Sequence, residues 1–271
     1  MKAKRVISQA YLWLVLAVLY APIIFIAVFS FTEAKSLGNW TGFTLDLYQS
    51  LFSGATSGSE ALLVALKNTL FIALVASLAS TVLGTLAAIG IFNMRGRWKK
   101  SIQFLNNVPM LNPDIITGVS LFLLFVFLGV SKGYTTIILS HITFCTPYVV
   151  LNVMPKLKQM DESLTDAALD LGCTPVQAFF RVTIHEIMPG VISGAIMAFT
   201  MSLDDFVISY FVTGLDFVTL PVEIYSYTKK PIQPKIYAMF TLLFLLIFVL
   251  MVISNVIQLV SDRKRVAERS K

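Results

Sequence analysis

Long apolar stretches alternate with short polar or basic segments along the chain. Six of these stretches reach roughly 20 residues or more, the length that a helix needs to cross the hydrocarbon core of a membrane. They run from Tyr11 to Phe31, Thr69 to Phe92, Ile102 to Leu128, Tyr134 to Met154, Ile187 to Thr213 and Ile236 to Val260. The pattern predicts an all-α, polytopic membrane protein with six transmembrane helices in a single domain over residues 1–271.

The first and third stretches need separate interpretation. Lys2, Lys4 and Arg5 precede the first stretch, as in a secretory signal, but its apolar part of roughly twenty residues is too long for a signal core, so we interpret it as an uncleaved anchor. The third contains Pro109 and Pro113, each of which removes a backbone donor that lipid cannot replace. We expect this helix to be broken or partly inside the protein.

The composition favours the same class. Of the 271 residues, 56% are hydrophobic and 13% are charged, and the mean hydropathy is +0.79. Soluble domains carry roughly 25% charged residues, so lipid is the better solvent for this chain. The net charge of +6 lies in short runs at the ends of apolar stretches, which favours a lipid bilayer and not nucleic acid as the partner. Cys145 and Cys173 have no His or Cys at ligand spacing, so we predict neither a metal site nor a disulfide.

The basic residues predict the orientation, because positively charged loops resist export across the bacterial inner membrane. With the amino terminus inside, fifteen of the 21 basic residues fall on the inner side. The sequence therefore predicts a multi-pass protein of the bacterial inner membrane with both termini in the cytoplasm.

A cytoplasmic segment of about residues 156–188 separates the fourth and fifth stretches. Apolar and small residues recur in it at intervals of three and four, which predicts a short helix that ends at Gly172 and Pro175. A second short helix is indicated by Val176, Phe179, Phe180 and Ile184. Two amphipathic helices held at the inner face suit insertion into a groove on a soluble partner, but a linker on the membrane surface fits the pattern equally well.

Particular residues of this segment resemble the EAA loop of ATP-binding cassette importer permeases, which docks on the ATPase. They are Asp166-Ala167-Ala168, Gly172 and Val182-Thr183-Ile184. The chain departs from the family pattern at Asp166, where the family has Glu, and at His185, where it has Pro; Pro189 follows four residues later.

Further motifs along nearly the whole chain resemble the spermidine/putrescine permeases of these importers. They are Asn112-Pro113-Asp114, Ser140-His141-Ile142-Thr143-Phe144-Cys145, Ser202-Leu203-Asp204-Asp205-Phe206-Val207, Phe211-Val212-Thr213-Gly214 and Leu220-Pro221. The resemblance implies the importer permease fold and three kinds of partner: a second homologous permease, two cytoplasmic ATP-binding subunits and an external polyamine-binding protein.

The energy source is expected on another subunit, because the sequence contains no Gly-x-x-x-x-Gly-Lys phosphate loop. We therefore expect no cofactor on this chain, with ATP bound by the partner ATPase. The cytoplasmic segment would act as a lever that tilts the attached spans. The residues assigned to ATPase coupling are Asp166, Ala167, Ala168, Gly172, Phe179, Phe180 and Ile184.

Acids inside the apolar stretches are candidates for a cation pathway, since an aspartate near a helix centre costs about 2.5 to 3.5 kcal/mol on insertion scales. A flexible polycation needs spaced carboxylates and aromatic faces. The candidate pathway residues are Asp114, Ser202, Asp204, Asp205, Tyr210, Phe211, Glu223 and Tyr225, the last two in an external loop. Adjacent aspartates on a helix point about 100° apart, so we expect one of Asp204 and Asp205 to face the pathway.

Structural alternatives exist for these acids. Asn112 as N-cap, Pro113 at N1 and Asp114 at N2 would start a helix, with the carboxylate facing the positive end of the helix dipole. Asp204 or Asp205 could bond to a neighbouring helix or subunit. His141 is expected to bond to a neighbouring backbone within the fourth span.

Other functional classes fit the sequence less well. An intramembrane enzyme is disfavoured, because the sequence has no Gly-x-Ser-x-Gly or His-Glu-x-x-His motif. A channel or secondary transporter would need no ATPase-docking segment. A permease for another small cationic solute remains an alternative, because a shared scaffold does not reveal the substrate.

Overall fold

The computed structural model describes residues 2–34, 38–52, 59–214, 217–229 and 236–242, together with 244, 245, 248, 249, 252 and 256. Over these residues the chain is helical, with one isolated antiparallel bridge between Thr32 and Phe43. The helices are α1 (Lys2–Phe29), α2 (Asp46–Phe52), α3 (Ser59–Asn93), α4 (Arg97–Leu111), α5 (Asp114–Phe127), α6 (Tyr134–Gln159), α7 (Glu162–Asp170), α8 (Pro175–Ala178), α9 (Ile184–Asp204), α10 (Val207–Val212) and α11 (Leu220–Thr228). The predicted all-α class is confirmed.

Four helical segments of the described chain are long and apolar enough to cross a membrane: Gln9–Phe29, Glu60–Asn93, Tyr134–Gln159 and Pro175–Asp204. The bent pair of α4 and α5 makes a fifth if it counts as one span. These five correspond to the first five predicted stretches. The sixth, Ile236 to Val260, lies mostly outside the described residues, although 236–242 are helical; the count of six stays a prediction.

The chain forms two compact units, Met1–Leu63 with Tyr225–Ile253, and Val64–Ile224 with Ser254–Lys271. In the first unit, the rings of Phe25 and Phe29 stack and both lie close to Tyr237. In the second unit, α6 supplies eight of the 17 buried residues of the hydrophobic core.

Small residues bring α6 and α9 into close contact. Gly190, Gly194 and Ala198 recur every four residues on one face of α9, and all three are buried. A Cβ atom at Gly190 would lie 2.8 Å from the Asn152 carbonyl oxygen, and one at Gly194 would lie 3.1 Å from Val149 Cγ1. Lipid tails are as apolar as the helices, so association in a membrane depends on such close packing.

The predicted break in the third stretch is confirmed, and it lies at Asn112–Pro113. The axes of α4 and α5 differ by 105°, while Pro109 is accommodated inside α4. The predicted capping was wrong in detail: the Asn112 amide donates to the Val108 carbonyl and ends α4, and Pro113 precedes α5 without a side-chain cap. Asp114 is consequently the first residue of α5.

The fifth stretch is broken as well, which the sequence analysis did not predict. Helix α9 ends at Asp204 and α10 begins at Val207, with an extended backbone at Asp205. At the other end, the predicted second cytoplasmic helix was wrong as a separate element, because α8 continues through a π-helical turn, Phe179–Thr183, into α9.

The contact between α6 and α9 generates a prediction about stability. Gly190→Ala should destabilise the protein by about 1 to 3 kcal/mol, because the added methyl group meets the backbone of α6. Gly90→Ala is the matched control, since Gly90 is also helical but a Cβ there has nothing within 4 Å. Thermal unfolding of the purified protein in detergent measures both; equal melting temperatures for the two variants would contradict this packing.

Candidate functional site

The break between α9 and α10 contains a buried polar cluster of His141, Ser202, Asp205 and Ser209. His141 Nδ1 lies 2.6 Å from Ser202 Oγ, and Nε2 lies 3.0 Å from Ser209 Oγ and 3.4 Å from Asp205 Oδ2. The exposed fractions of the His141 and Asp205 side chains are 1% and 5%. His141 was expected to bond to backbone, and this was wrong: its ring nitrogens contact side chains on both sides of the break.

Asp205 serves the backbone of the short helix that follows it. Its carboxylate accepts hydrogen bonds from the amides of Ile208 (3.2 Å) and Ser209 (2.8 Å), which begin α10 and have no intrahelical partner. Asp204, the last residue of α9, is exposed. The structure therefore separates the adjacent aspartates, one buried and bonded and one at the surface.

Helices α5 and α10 pack side by side and run in the same direction. A Cβ atom at Gly118 of α5 would lie 3.3 Å from Ile208 Cα, and one at Gly214, after α10, would lie 2.8 Å from the carbonyl oxygen of Lys132, after α5. Contacts thus advance together along both segments.

The two exposed aspartates lie at the amino-terminal ends of these packed helices. Asp114 is the first residue of α5, four residues before Gly118, and Asp204 lies just before α10, four residues before Ile208. Asp114 is exposed like Asp204, and it lies close enough to Asp204 and to the Tyr148 hydroxyl for an electrostatic interaction. Two exposed carboxylates and an aromatic hydroxyl therefore occupy one region of this unit.

The remaining predicted pathway residues are placed differently from one another. Tyr210 is 43% exposed, whereas Ser202 is buried against His141. Phe211 is half-buried and packs against Gly118. The predicted external loop that carries Glu223 and Tyr225 was wrong in structure, because both lie in α11.

Tyr225 already contacts a cation in the structure. Lys229 Nζ lies 4.7 Å from the centre of the Tyr225 ring, within the range of a cation–π interaction. The ring is therefore accessible to an ammonium group of the kind that a polyamine carries.

The segment between α6 and α9, predicted to be cytoplasmic, begins with a capped helix. Asp161 precedes α7 and accepts a hydrogen bond from the Ser163 amide at 3.0 Å. Hydrogen bonds from the Ser163 side chain and backbone lower the pKa of Asp161. The charged cap is therefore present at neutral pH, and it is lost as the pH falls through this lowered pKa.

Gly172 ends α7 in a Schellman motif. The Cys173 amide donates to the Ala168 carbonyl at 3.1 Å, and the Gly172 amide donates to the Leu169 carbonyl at 2.9 Å. Gly172 has φ +86°, in the left-handed region that favours glycine. A glycine is therefore favoured at residue 172 because it ends α7, which the spacing of apolar residues in the sequence does not explain.

Exposed apolar side chains cover this segment. Leu171, Val176 and Phe180 are 87%, 66% and 62% exposed. Among the other predicted coupling residues, Asp166 and Ala167 are exposed and Ala168, Phe179 and Ile184 are half-buried. Phe179 and Phe180 form an edge-to-face pair with ring centres 5.0 Å apart.

Sequence reasoning missed His141 and Ser209 as partners of the acids. The available signal was the motif from Ser140 to Cys145, which places a histidine within the fourth span. A buried carboxylate within a span requires a polar partner from another helix, and His141 is such a group. Among the described residues, no group of three or more His, Cys, Asp or Glu side chains is arranged to hold a metal ion.

The apolar spans, the polar break within one of them and the exposed cytoplasmic segment give the chain the architecture of a membrane permease. The family model described as binding-protein-dependent transport system inner membrane component matches residues 80–266, and the chain belongs to this family of transport subunits. The inner-membrane location expected from the sequence is thereby confirmed, while the side on which the termini lie stays a prediction.

Curated relatives cover most of the chain. The putrescine transport system permease protein PotI of Escherichia coli K12 is 39% identical over 83% of this chain and 81% of the relative. The spermidine/putrescine transport system permease proteins PotC of E. coli K12 and Haemophilus influenzae are 35% and 34% identical, each over 93% of this chain and over 94% and 96% of the relative. The resemblance to spermidine/putrescine permeases is confirmed.

Solved structures share the fold at low sequence identity. A bacterial ABC transporter involved in alginate import superposes with a TM-score of 0.72 and 13% identity, over 95% of this chain and 96% of that chain. The MetNI methionine ABC transporter superposes with a TM-score of 0.64 and 19% identity, over 75% of this chain and 97% of that chain. The predicted importer permease fold is confirmed.

The Schellman motif leads to a test of the cytoplasmic segment. Gly172→Ala should strain the left-handed residue by about 1 to 2 kcal/mol and loosen the end of α7. Hydrogen exchange at the Gly172 and Cys173 amides should accelerate. The matched control is Gly129→Ala, which has φ +68° and the same open space but lies in another loop. Unchanged exchange in Gly172→Ala would contradict the motif.

Proposed function

We propose that this chain forms part of the translocation pathway of an ATP-binding cassette importer for polyamines, spermidine or putrescine. The observation that carries the proposal is the pair of exposed carboxylates, Asp114 at the start of α5 and Asp204 just before α10, two helices that pack together. The polyamine permeases PotI and PotC, to which the chain is similar over most of its length, support the choice of substrate.

The chemistry of the exposed side chains suits a flexible polycation. Asp114 and Asp204 supply separate negative charges, so that each ammonium group is attracted without being trapped by a single strong site. Tyr210, exposed beside Phe206 and Phe211, supplies an aromatic face for an ammonium or a methylene stretch. In this proposal Ser202 and Asp205 do not contact the substrate; they are buried and stabilise the break that precedes α10.

The partners follow from the same proposal. The chain pairs with a second homologous permease and receives its cargo from an external polyamine-binding protein. Two cytoplasmic subunits bind and hydrolyse ATP, and both termini of this chain lie in the cytoplasm. The alginate transporter structure in complex with a periplasmic protein gives an example of such an assembly in a chain of this fold.

Coupling to the ATPase subunits proceeds through residues 161–184. Exposed apolar side chains on α7 and α8 and around Phe180 form a surface suited to a groove on a soluble partner. Because α8 and the π-helical turn continue into α9, and α7 follows α6, movement of this surface shifts the two helices that hold the acidic break.

The pathway role of Asp204 predicts a change in uptake. Asp204→Asn should raise the KM for labelled spermidine by about tenfold, because a lost charge contact to an ammonium is worth about 1.4 kcal/mol or more. Asp46→Asn is the matched control, since Asp46 is also exposed at one end of a helix but lies far from Asp204 in sequence.

Competition separates the candidate substrates. Uptake of labelled spermidine should be reduced by unlabelled putrescine and spermidine and left unchanged by a neutral sugar. Uptake of another small cation without polyamine uptake would contradict the assignment of polyamines as substrates. Equal KM values for Asp204→Asn and the intact protein would contradict a role of Asp204 in the pathway.

The docking surface predicts copurification. The full chain should copurify with an ATP-binding subunit when the transporter genes are expressed together, and Phe180→Ser should reduce the recovered ATPase by about tenfold. Phe43→Ser is the matched control: both phenylalanines are largely exposed, at 62% and 67%, and each contacts another aromatic ring. Absence of any ATPase subunit from the intact complex would favour a secondary transporter.

A further inference from the structure

One imidazole links both sides of the break in the fifth span. His141 lies on α6, while its partners Ser202 and Ser209 lie on α9 and α10. Ser202 is 2% exposed and Ser209 is fully buried. A backbone break inside a membrane is tolerated where it is buried in protein and its polar groups find partners. His141 provides this link from outside the broken helix.

The partners define the protonation pattern of the imidazole. The Asp205 carboxylate can only accept hydrogen bonds, so the proton belongs on Nε2, which faces Asp205 and Ser209. Nδ1 then accepts from the Ser202 hydroxyl at 2.6 Å. Both ring nitrogens are then hydrogen-bonded, and the ring is held between its side-chain partners.

The direction of Asp204 depends on this cluster. Asp204 is the last residue of α9 and is bonded directly to Asp205, so the end of α9 is connected to the residue that the cluster holds. Asp205 is held by the Ile208 and Ser209 amides and by His141. Without the imidazole, α9 and α10 could rotate about the break, and the exposed carboxylate would move with the end of α9.

We propose that His141 is a positioning residue that holds the break so that the Asp204 carboxylate points to the surface it occupies. The inference rests on the proposed function only in taking Asp204 as a pathway acid. Helix α6 continues from His141 to Gln159, about 27 Å along the axis, where the cytoplasmic segment begins. A shift of that segment therefore reaches Asp204 through His141.

The test measures the direction of residue 204 without any substrate. Asp204→Cys is introduced into the full chain after Cys145→Ala and Cys173→Ser, and membrane vesicles are labelled with an impermeant cationic thiol reagent. Adding His141→Ala should change the labelling rate by about fivefold or more. A factor of this size corresponds to a free-energy change in the range found for residues in contact. His141→Gln, whose amide both donates and accepts, should stay within about twofold of the parent.

Ser140→Ala is the matched control for burial and location. Ser140 is fully buried next to His141, but its hydroxyl bonds to the Thr136 carbonyl of its own helix. Its labelling rate should equal that of the parent. Equal rates for His141→Ala and the parent, or equal changes in His141→Ala and Ser140→Ala, would overturn the proposal.

Two serine variants keep the proposal testable if His141→Ala does not fold. Ser202→Ala and Ser209→Ala each remove one bond of the imidazole, and each should change the labelling rate by about twofold; parental rates in both would overturn the proposal. Uptake provides a second measurement of the same role. With Asp204 restored, folded His141→Ala should raise the KM for spermidine by about tenfold and His141→Gln should restore it; a parental KM in His141→Ala would overturn positioning.

Failure of the proposed function has a different signature. If the intact transporter takes up no polyamine, the substrate assignment is wrong, but the labelling rates still decide whether His141 positions residue 204. If polyamine uptake is normal and the labelling rates do not respond to His141→Ala, the positioning role is wrong and the proposed function stands.

Discussion

The need to satisfy backbone polar groups away from water governs this structure. Helices satisfy most of them within a segment, but the interruption between α9 and α10 leaves amides and carbonyls that lipid cannot bond. Asp205 accepts from two of the amides, and His141 joins the carboxylate to serines on either side. An acid that resembles a substrate ligand in sequence is therefore a structural group, and its neighbour Asp204 is left at the surface.

Close helix packing makes this arrangement possible. Glycines at α9 positions 190 and 194 let its backbone approach α6, which brings His141 within bonding distance of Ser202. Lipid offers no hydrophobic driving force between helices, so close contact and interhelical hydrogen bonds contribute together. The same two helices flank the exposed segment of residues 161–184, so the acidic break and this segment are joined through α6 and α9.

Much of this could be predicted from sequence, for identifiable reasons. Apolar length predicts spans, because the thickness of a bilayer is fixed, and Pro113 predicted a break because proline lacks an amide hydrogen. The break after Asp204 was not predicted, since no proline or glycine marks it. The Asp pair was the available signal, because aspartate competes for backbone amides and favours helix ends.

The sequence by itself determined that the chain lies in a lipid bilayer, that it is helical, where its first five spans lie and to which family it belongs. Each of these depends on local composition or on short motifs along the chain. Only the tertiary structure decided which aspartate is buried, which is exposed and that His141 joins Asp205 to serines 61 and 68 residues from His141. Such choices depend on which faces of separate helices meet. Helix contacts between distant segments arise from packing, and no local pattern in the chain specifies them.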